Sequence, residues 1–435
     1  MNKAQAIALF LLASFVGHAQ SVNNWIETYT PGDGIRQVSR NGYETALSFY
    51  MQPGFEYRTY TDPNSELNLN RFRMRRLRMR IQGSSENHKM GYRVQYDFSG
   101  NGEIDATNSV YLLDAFVFYK PTKRIDIEIG KRATPTDNRE LWMLSHTTQF
   151  VERSRLTSAF AAIREVGIFA NGNFRMKRAG GYLRPYVAVT TGDGDALDQR
   201  NYGGLKVGGR LDYLPFGLFT YYGQFRQVDM VRENTPKLVV GVVSSYNAGM
   251  SSRRGRESGS ILYLDGDLQP SLPNYLKIGA DFMLKYRGFS AIGEFVHAQG
   301  SVPTDLVYRV RNDGSLATTF LVNGLQDPTN YVLGRMMVGQ GYNLQAGYLL
   351  RNGLSLDLRY TQLVPAQHSF LTNGTFYNRP LYYTASVGKY FSRNYSYSVR
   401  ASVTRATLAA GSNDIYGAPV EGHEWIFRLL TTYAF

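Results

Sequence analysis

The residues with the most distinctive chemistry are six arginines within residues 71–80. They form two alternating sets, one offset from the other by a single position: Arg71, Arg73 and Arg75, then Arg76, Arg78 and Arg80. One extra residue in a strand, a β-bulge, would place all six on one face and the intervening apolar residues on the other. On a helix the same arginines would scatter around the axis. The segment therefore predicts a bulged strand with one cationic face.

A row of guanidinium groups is suited to binding anions. Against lipid, each arginine would cost about 2–4 kcal/mol near the bilayer midplane, whereas a water-filled lumen accepts it at little cost. There it would raise the local anion concentration and offer a fixed fork to phosphate or carboxylate oxygens. Arg58 and Arg93 are candidates to extend this surface. The alternative is that the arginines simply pair with carboxylates that face the lumen, such as Asp97, Asp114, Asp126 and Glu128.

The first residues have the pattern of a signal peptide. Lys3 precedes an apolar run of about twelve residues, 6–17, which is too short to span a bilayer as a helix. Gly17 and Ala19 are small residues placed for cleavage after Ala19, so we expect residues 1–19 to be removed. Although the chain carries a net charge of +13, export argues against nucleic acid as a partner.

The remainder of the chain alternates between apolar and polar residues with a period of two. Residues 91–99, 124–130 and 354–360 show the pattern clearly. This period indicates strands with one apolar and one polar face. No later apolar run is long enough for a membrane helix, which leaves a soluble or periplasmic protein or a closed β-barrel.

The predicted connections alternate in length. The short ones are 84–86, 121–124, 176–181, 214–217, 286–288, 351–353 and 391–394, and the long ones are 100–108, 133–163, 192–202, 229–273, 299–334, 365–379 and 408–422. Short periplasmic turns and long external loops are typical of bacterial barrels. We therefore predict an all-β fold, a transmembrane antiparallel β-barrel with periplasmic termini.

The barrel is predicted to span residues 43–435, after a periplasmic N-terminal segment at 20–42. Its first strand, 43–61, is expected to be interrupted near Pro53, and its last is 423–435. The count is about 16 strands, or 18 if residues 229–273 hide a further pair that includes 237–243.

The C-terminal strand resembles an outer-membrane assembly signal. Alternate residues from Trp425 to Tyr433 share one face with Phe435, the last residue. We therefore expect the assembly machinery to be a partner through Phe435, and the bacterial outer membrane to be the location.

Several sequence blocks resemble the phosphate-selective porin O and P family. They occur in the family's order between about residues 70 and 170: 72–78, 96–100, 114–120, 130–135, 150–154 and 164–167. The resemblance implies a homotrimer of about sixteen-stranded barrels with arginines along each lumen and an inward-folded constriction loop. The implied ladder is Arg71, Arg73, Arg75, Arg76, Arg78, Arg80 and Arg93. Loop 133–163 matches the constriction loop, with Arg139, Arg153 and Arg155 as its candidates and a short helix near 140–144.

One departure from the family pattern narrows the expected solute. Phosphate-selective members are associated with lysines at the constriction, but loop 133–163 contains none. We therefore expect passive diffusion of small anions, with phosphate or other oxyanions among them. Outer-membrane lipid and lipopolysaccharide are the other expected partners. Arg253, Arg254 and Arg256 are candidates for lipopolysaccharide phosphates, although a solvated loop is the simpler interpretation.

Two other functions stay open at the level of sequence. The barrel would serve as a scaffold or adhesin if it only displayed loops 229–273 and 299–334. Alternatively, Phe116 and Phe118 on the inner face would suit an oligosaccharide-selective channel. No nucleophile motif is present and the six histidines lack metal-ligand spacing, so we expect no enzyme, cofactor or metal.

Overall fold

The computed structural model describes residues 25–30, 34–63, 65, 68–100, 110–194, 202–254 and 261–435. The predicted signal peptide lies outside these residues. In the described part of the chain, no helix has the length and apolarity to cross a membrane. The α-helices found there are short: α1 (Arg139–Trp142), α2 (Arg155–Phe160) and α3 (Pro328–Leu333).

Antiparallel strands form one large sheet. Two precede the barrel, β1 (Trp25–Thr30) and β2 (Gly34–Ser39). The barrel strands are β3 (Glu44–Tyr60), β4 (Leu69–Ser84), β5 (Met90–Asp97), β6 (Tyr111–Thr122), β7 (Ile125–Ala133), β8 (Arg164–Gly172), β9 (Tyr182–Thr190), β10 (Lys206–Leu214), β11 (Lys237–Asn247), β12 (Asn274–Tyr286), β13 (Phe289–Ser301), β14 (Gly339–Leu349), β15 (Leu354–Pro365), β16 (Leu381–Tyr390), β17 (Tyr397–Thr407) and β18 (His423–Ala434). Short strands in connections are Phe174–Arg175, Tyr263–Leu264, Tyr308–Val310, Leu316–Ala317, Leu321–Val322 and Leu325–Gln326.

The sheet closes on itself between its first and last barrel strands. β18 pairs with β3 from Glu424 opposite Tyr60 to Ala434 opposite Tyr50. Phe435 continues the pairing, because its backbone N–H donates to the carbonyl of Phe49 at 2.9 Å. The prediction of sixteen barrel strands is confirmed for the described residues.

A hairpin that the sequence did not predict joins the barrel at the start of β3. β1 pairs with β2 along its whole length, and β2 pairs with residues 44–47 of β3. β18 leaves these four residues of β3 uncovered, since the pairing of the C-terminal strand, with Phe435 included, ends at Phe49. The periplasmic location of this N-terminal segment stays a prediction.

The barrel wall is apolar outside and polar inside. In β15, Leu356 and Leu358 are 57% and 68% exposed, while Asp357 and Arg359, which alternate with them, are 4% and 7% exposed. A soluble sandwich would show the reverse, because its apolar face packs into the core. Outward apolar residues and inward polar residues are the arrangement that a lipid environment requires.

The connection after β10 differs from its prediction. Leu214–Gly217 does form a tight turn, in which the Gly217 N–H donates to the Leu214 carbonyl at 3.2 Å. No strand follows it, and the chain continues through a 3₁₀ helix (Thr220–Phe225) until β11 begins at Lys237. The short link predicted at 214–217 was therefore wrong. Residues 215–236 form the connection, and the described residues between β11 and β12 are 248–254 and 261–273.

The predicted interruption of the first strand near Pro53 takes the form of irregular pairing: the register with β4 shifts there, and the register with β18 skips residues 52 and 53. β3 runs without a break from Glu44 to Tyr60. Pro53 is tolerated because the pairing with β4 shifts by one residue next to it. Proline lacks the N–H that a regular ladder requires, so irregular positions of this kind suit it.

The external loops pack against one another around a buried apolar cluster that includes Tyr263, Phe320 and Met337. Two of the arginines assigned to a solvated loop lie in this packed region. Arg253 lies over the Phe370 ring at 3.6 Å, and the buried Arg254 donates to the Tyr377 hydroxyl at 3.1 Å. The solvated-loop interpretation was therefore wrong for these two residues, and Arg256 lies outside the described residues.

Candidate functional site

The arginine-rich strand β4 contains a one-residue irregularity. Opposite it in β3, Gln52 pairs with Arg76 and Pro53 pairs with Met74, so Arg75 is the extra residue. This bulge allows arginines on both sides of it to share a face. The alternating residue Phe72 is 86% exposed on the outer surface.

The N-terminal half of β4, residues 69–76, contacts two glutamates. Arg71 lies 3.0 Å from the carboxylate of Glu56, which belongs to β3. Arg73 lies 2.9 Å and Arg75 3.0 Å from the carboxylate of Glu152, which belongs to the loop between β7 and β8. Arg76 lies 3.6 Å from the same carboxylate and donates to the Gln52 side chain at 2.8 Å.

The remaining arginines of the predicted ladder lie nearer the end of the barrel at which the C-terminal residue, Phe435, pairs with β3. Arg78 pairs with Asp97 at 2.6 Å and also donates to the Tyr50 hydroxyl at 2.9 Å. Arg80 donates to Ser48 at 3.3 Å, and Arg93 donates to Gln82 at 3.3 Å. Pairing with inner-face carboxylates, the alternative left open by the sequence, therefore applies to Arg78 through Asp97. It applies also to the four arginines at 71, 73, 75 and 76, whose partners are Glu56 and Glu152.

A cavity of about 270 Å³ lies beside the N-terminal half of the arginine-rich strand β4. Residues of β3, β4, β15–β18 and loop 134–163 line it, so it lies inside the barrel wall. Among the described residues, its charged lining consists of nine arginines and two glutamates, a formal excess of seven positive charges. They are Arg58, Arg71, Arg73, Arg75, Arg76, Arg153, Arg155, Arg359, Arg428, Glu56 and Glu152.

The three constriction-loop candidates occupy different environments. Arg153 lines the cavity and donates to the Met143 carbonyl at 3.0 Å. Arg155 lines it as well, with its guanidinium 5.6 Å from the centre of the Tyr382 ring. Arg139 is absent from the lining. It is 2% exposed and pairs with Asp212 of β10 at 2.8 Å and with Asp281 of β12 at 2.6 Å. Arg139 therefore anchors the loop to the barrel wall.

Buried polar contacts fix loop 134–163 within the barrel. The Glu140 carboxylate accepts hydrogen bonds from Ser154, Thr157 and Arg359 at 2.6–2.8 Å. Asp137 pairs with Lys277 of β12. Removing one partner of a buried pair typically costs about 3–5 kcal/mol, so these contacts strongly favour a single loop position.

Two ionisable side chains of the loop have displaced pKa values. Burial alone would raise the pKa of Glu152, but Arg75, Arg76 and Arg73 together hold it well below its usual range. Burial, together with Arg80 and other nearby arginines, lowers the pKa of His146 to about 3. Near neutral pH the first is therefore an anion and the second is uncharged.

The unexpected segment 215–236 meets loop 134–163 inside the barrel. The Phe225 carbonyl accepts from the Leu144 N–H at 3.1 Å. The Gln227 side chain, which is fully buried, accepts from the Gln149 N–H at 2.8 Å. Lys285 of β12 donates to the Gly223 and Val228 carbonyls at 3.0 and 3.1 Å. The two connections therefore pack together inside the barrel, and segment 215–236 also contacts the wall at β12.

A second cavity, of about 300 Å³, contains the two inward phenylalanines. Arg93 and Arg132 lie 5.4 and 5.5 Å from the Phe116 ring centre, and Lys120 lies 5.2 Å from that of Phe118. Cations thus already contact the ring faces. This arrangement does not provide the open aromatic track that an oligosaccharide channel would need.

Sequence reasoning missed several charged residues of the cavity, among them Glu152, Arg359 and Arg428. A signal for the two arginines was present. Arg359 alternates with Leu356 and Leu358, and Arg428 alternates with Phe427 and Leu429, so both have inward parity. Glu152 had no such signal, because it lies on an irregular loop whose position depends on tertiary contacts.

The closed barrel with its outward apolar face and inward charged cavity defines an outer-membrane channel. A family model described as phosphate-selective porin O and P matches residues 48–299, more than half of the chain. The chain therefore belongs to this porin family, and its location is the bacterial outer membrane.

Solved structures of similar shape include other outer-membrane proteins. The outer membrane channel DcaP of Acinetobacter baumannii is 11% identical, with 92% of this chain and 99% of that chain covered and a TM-score of 0.47. A mutant of the Rh. blastica porin is 11% identical, with coverages of 90% and 100% and a TM-score of 0.43. OmpT of Vibrio cholerae is 9% identical, with coverages of 90% and 98% and a TM-score of 0.46. No curated protein matches this chain.

Proposed function

We propose that this porin conducts small anions by passive diffusion along the arginine strand. The observation that carries the proposal is the cavity with its excess of seven positive charges. Arginine keeps its charge at every physiological pH, and a row of fixed cations in a narrow aqueous path attracts anions and repels cations.

The solute range follows from the kind of cation present. Guanidinium groups offer paired N–H donors that match carboxylate and phosphate oxygens. Loop 134–163 contributes arginines and no lysine, and its arginine geometry does not single out phosphate. The proposed channel therefore prefers anions in general and passes oxyanions among them.

The experiment compares two charge-matched triple variants in planar bilayers. One is Arg73→Gln, Arg75→Gln and Arg76→Gln in the cavity. The control is Arg311→Gln, Arg351→Gln and Arg393→Gln, three exposed positions outside the cavity. We expect the first to shift the zero-current potential toward cations and the second to keep the wild-type value. Equal potentials in both variants would contradict the proposed role of the cavity.

A further inference from the structure

Three guanidinium groups converge on one carboxylate that belongs to the protein itself. Glu152 receives Arg73 at 2.9 Å, Arg75 at 3.0 Å and Arg76 at 3.6 Å. The arginines come from the rigid wall, whereas Glu152 comes from loop 134–163. Its side chain is 18% exposed and borders the cavity.

The backbone of Glu152 is held independently of its carboxylate. Arg359 of β15 donates to the Glu152 backbone carbonyl at 2.8 Å, and its guanidinium lies 4.0 Å from the ring centre of the buried Phe150. Movement of the Glu152 side chain therefore does not require the loop to leave the wall.

We propose that Arg73, Arg75 and Arg76 form a binding site for one oxyanion group of a passing solute, and that Glu152 is a tethered occupant which that group displaces. This inference rests on the proposed anion conduction and adds a binding step to it. The carboxylate of Glu152 presents a pair of oxygens to the N–H donors of these guanidinium groups, as a solute carboxylate or phosphate would. No covalent bond changes in the exchange.

Because Glu152 is a tethered competitor, it speeds release of the bound solute, and conduction requires such release. Without Glu152, the three arginines, of which Arg73 also lies 3.4 Å from Glu56, would bind an oxyanion tightly and release it slowly. A channel needs binding weak enough for the solute to leave. A group attached to the site acts at an effective concentration of about millimolar or above. Return of Glu152 thus promotes release of the solute.

The test uses Glu152→Gln, which keeps the shape of the side chain and removes its charge. Chloride current through single channels is titrated with inorganic phosphate, and separately with acetate. We expect the phosphate concentration that halves the current to fall by roughly tenfold or more relative to wild type, because the competitor is gone. The control is Glu421→Gln, which removes one carboxylate from the external loop 408–422, and we expect it to match wild type.

The possible outcomes separate this inference from the proposed function. Anion preference in wild type with identical phosphate titrations in Glu152→Gln would overturn the tethered occupant and leave anion conduction standing. Lack of anion preference in wild type would overturn the proposed function first. Glu152→Asp, which keeps the charge but shortens the reach, provides a second variant if Glu152→Gln fails to fold. We expect its phosphate affinity to exceed that of wild type, and an unchanged affinity would count against the inference.

Discussion

At the scale of the residue, the role of an arginine is set by the groups around it. Arg139, Arg153 and Arg155 lie on one loop and carry the same charge. The first is enclosed by two aspartates of the wall, the second donates to loop carbonyls, and the third lies over a tyrosine ring. Only the last two line the cavity. Sequence alone places all three on the loop but does not tell the anchor from the pore residues.

Asp281→Asn should loosen the constriction loop. Asp281 accepts hydrogen bonds from both Arg139 and Arg210 at 2.6 Å. Its replacement removes one of the two carboxylates that these buried guanidiniums share and leaves them with Asp212. We expect the docked position of loop 134–163 to be destabilised by about 3–5 kcal/mol. This change would appear as noisier single-channel current and a lower unfolding temperature. Asp313→Asn, in an exposed external turn, is the control. Quiet currents and unchanged stability in Asp281→Asn would show that the anchor is dispensable.

The charges of Glu152 and His146 should stay constant between about pH 5 and 8, so neither side chain should make the anion preference depend on pH there. Arginines do not titrate there. The depressed pKa values of Glu152 and His146 keep the first ionised and the second neutral throughout this range. Zero-current potentials measured across the range check this expectation. A transition near pH 6.5 that disappears in His146→Gln would show that this histidine gains a proton in the lumen, contrary to its lowered pKa.

At the scale of the element, two connections from opposite ends of the barrel narrow the lumen. Loop 134–163 was predictable because it is long and lies where porins of this family carry their constriction loop. Segment 215–236 was not, because Leu214–Gly217 has the form of a hairpin turn, and such a turn predicts a strand directly after it. Its buried position depends on partners such as Gln149 and Lys285, which become neighbours only when the barrel closes.

Replacing residues 216–235 with a short turn should widen the channel. The segment contacts β12, which lies eight strands away from β4 in the sixteen-stranded barrel, so we expect its removal to open a second path beside β12, without the arginine-rich strand. We expect a larger conductance together with a weaker anion preference in bilayer recordings. Heat-dependent migration in gels would verify that the barrel still folds. Unchanged conductance in a folded variant would mean that the segment does not limit the path.

At the scale of the whole molecule, the sequence was most informative where the pattern is local. Period two fixed the inner and outer faces, and the parity change at Arg75 predicted the irregularity that the pairing of β3 and β4 shows. The residues that line the cavity were harder to predict from the sequence. They come from strands near both ends of the chain and from an irregular loop. Arg428 and Arg73 are far apart in the chain and meet only through closure between β18 and β3.

The most direct test of the account is the zero-current potential of the wild-type channel across a potassium chloride gradient. The fixed positive charges of the cavity predict a potential of the sign that chloride selectivity produces, reduced in magnitude at high salt as screening grows. A potential of the opposite sign, which means cation preference, would contradict anion conduction along the arginine strand.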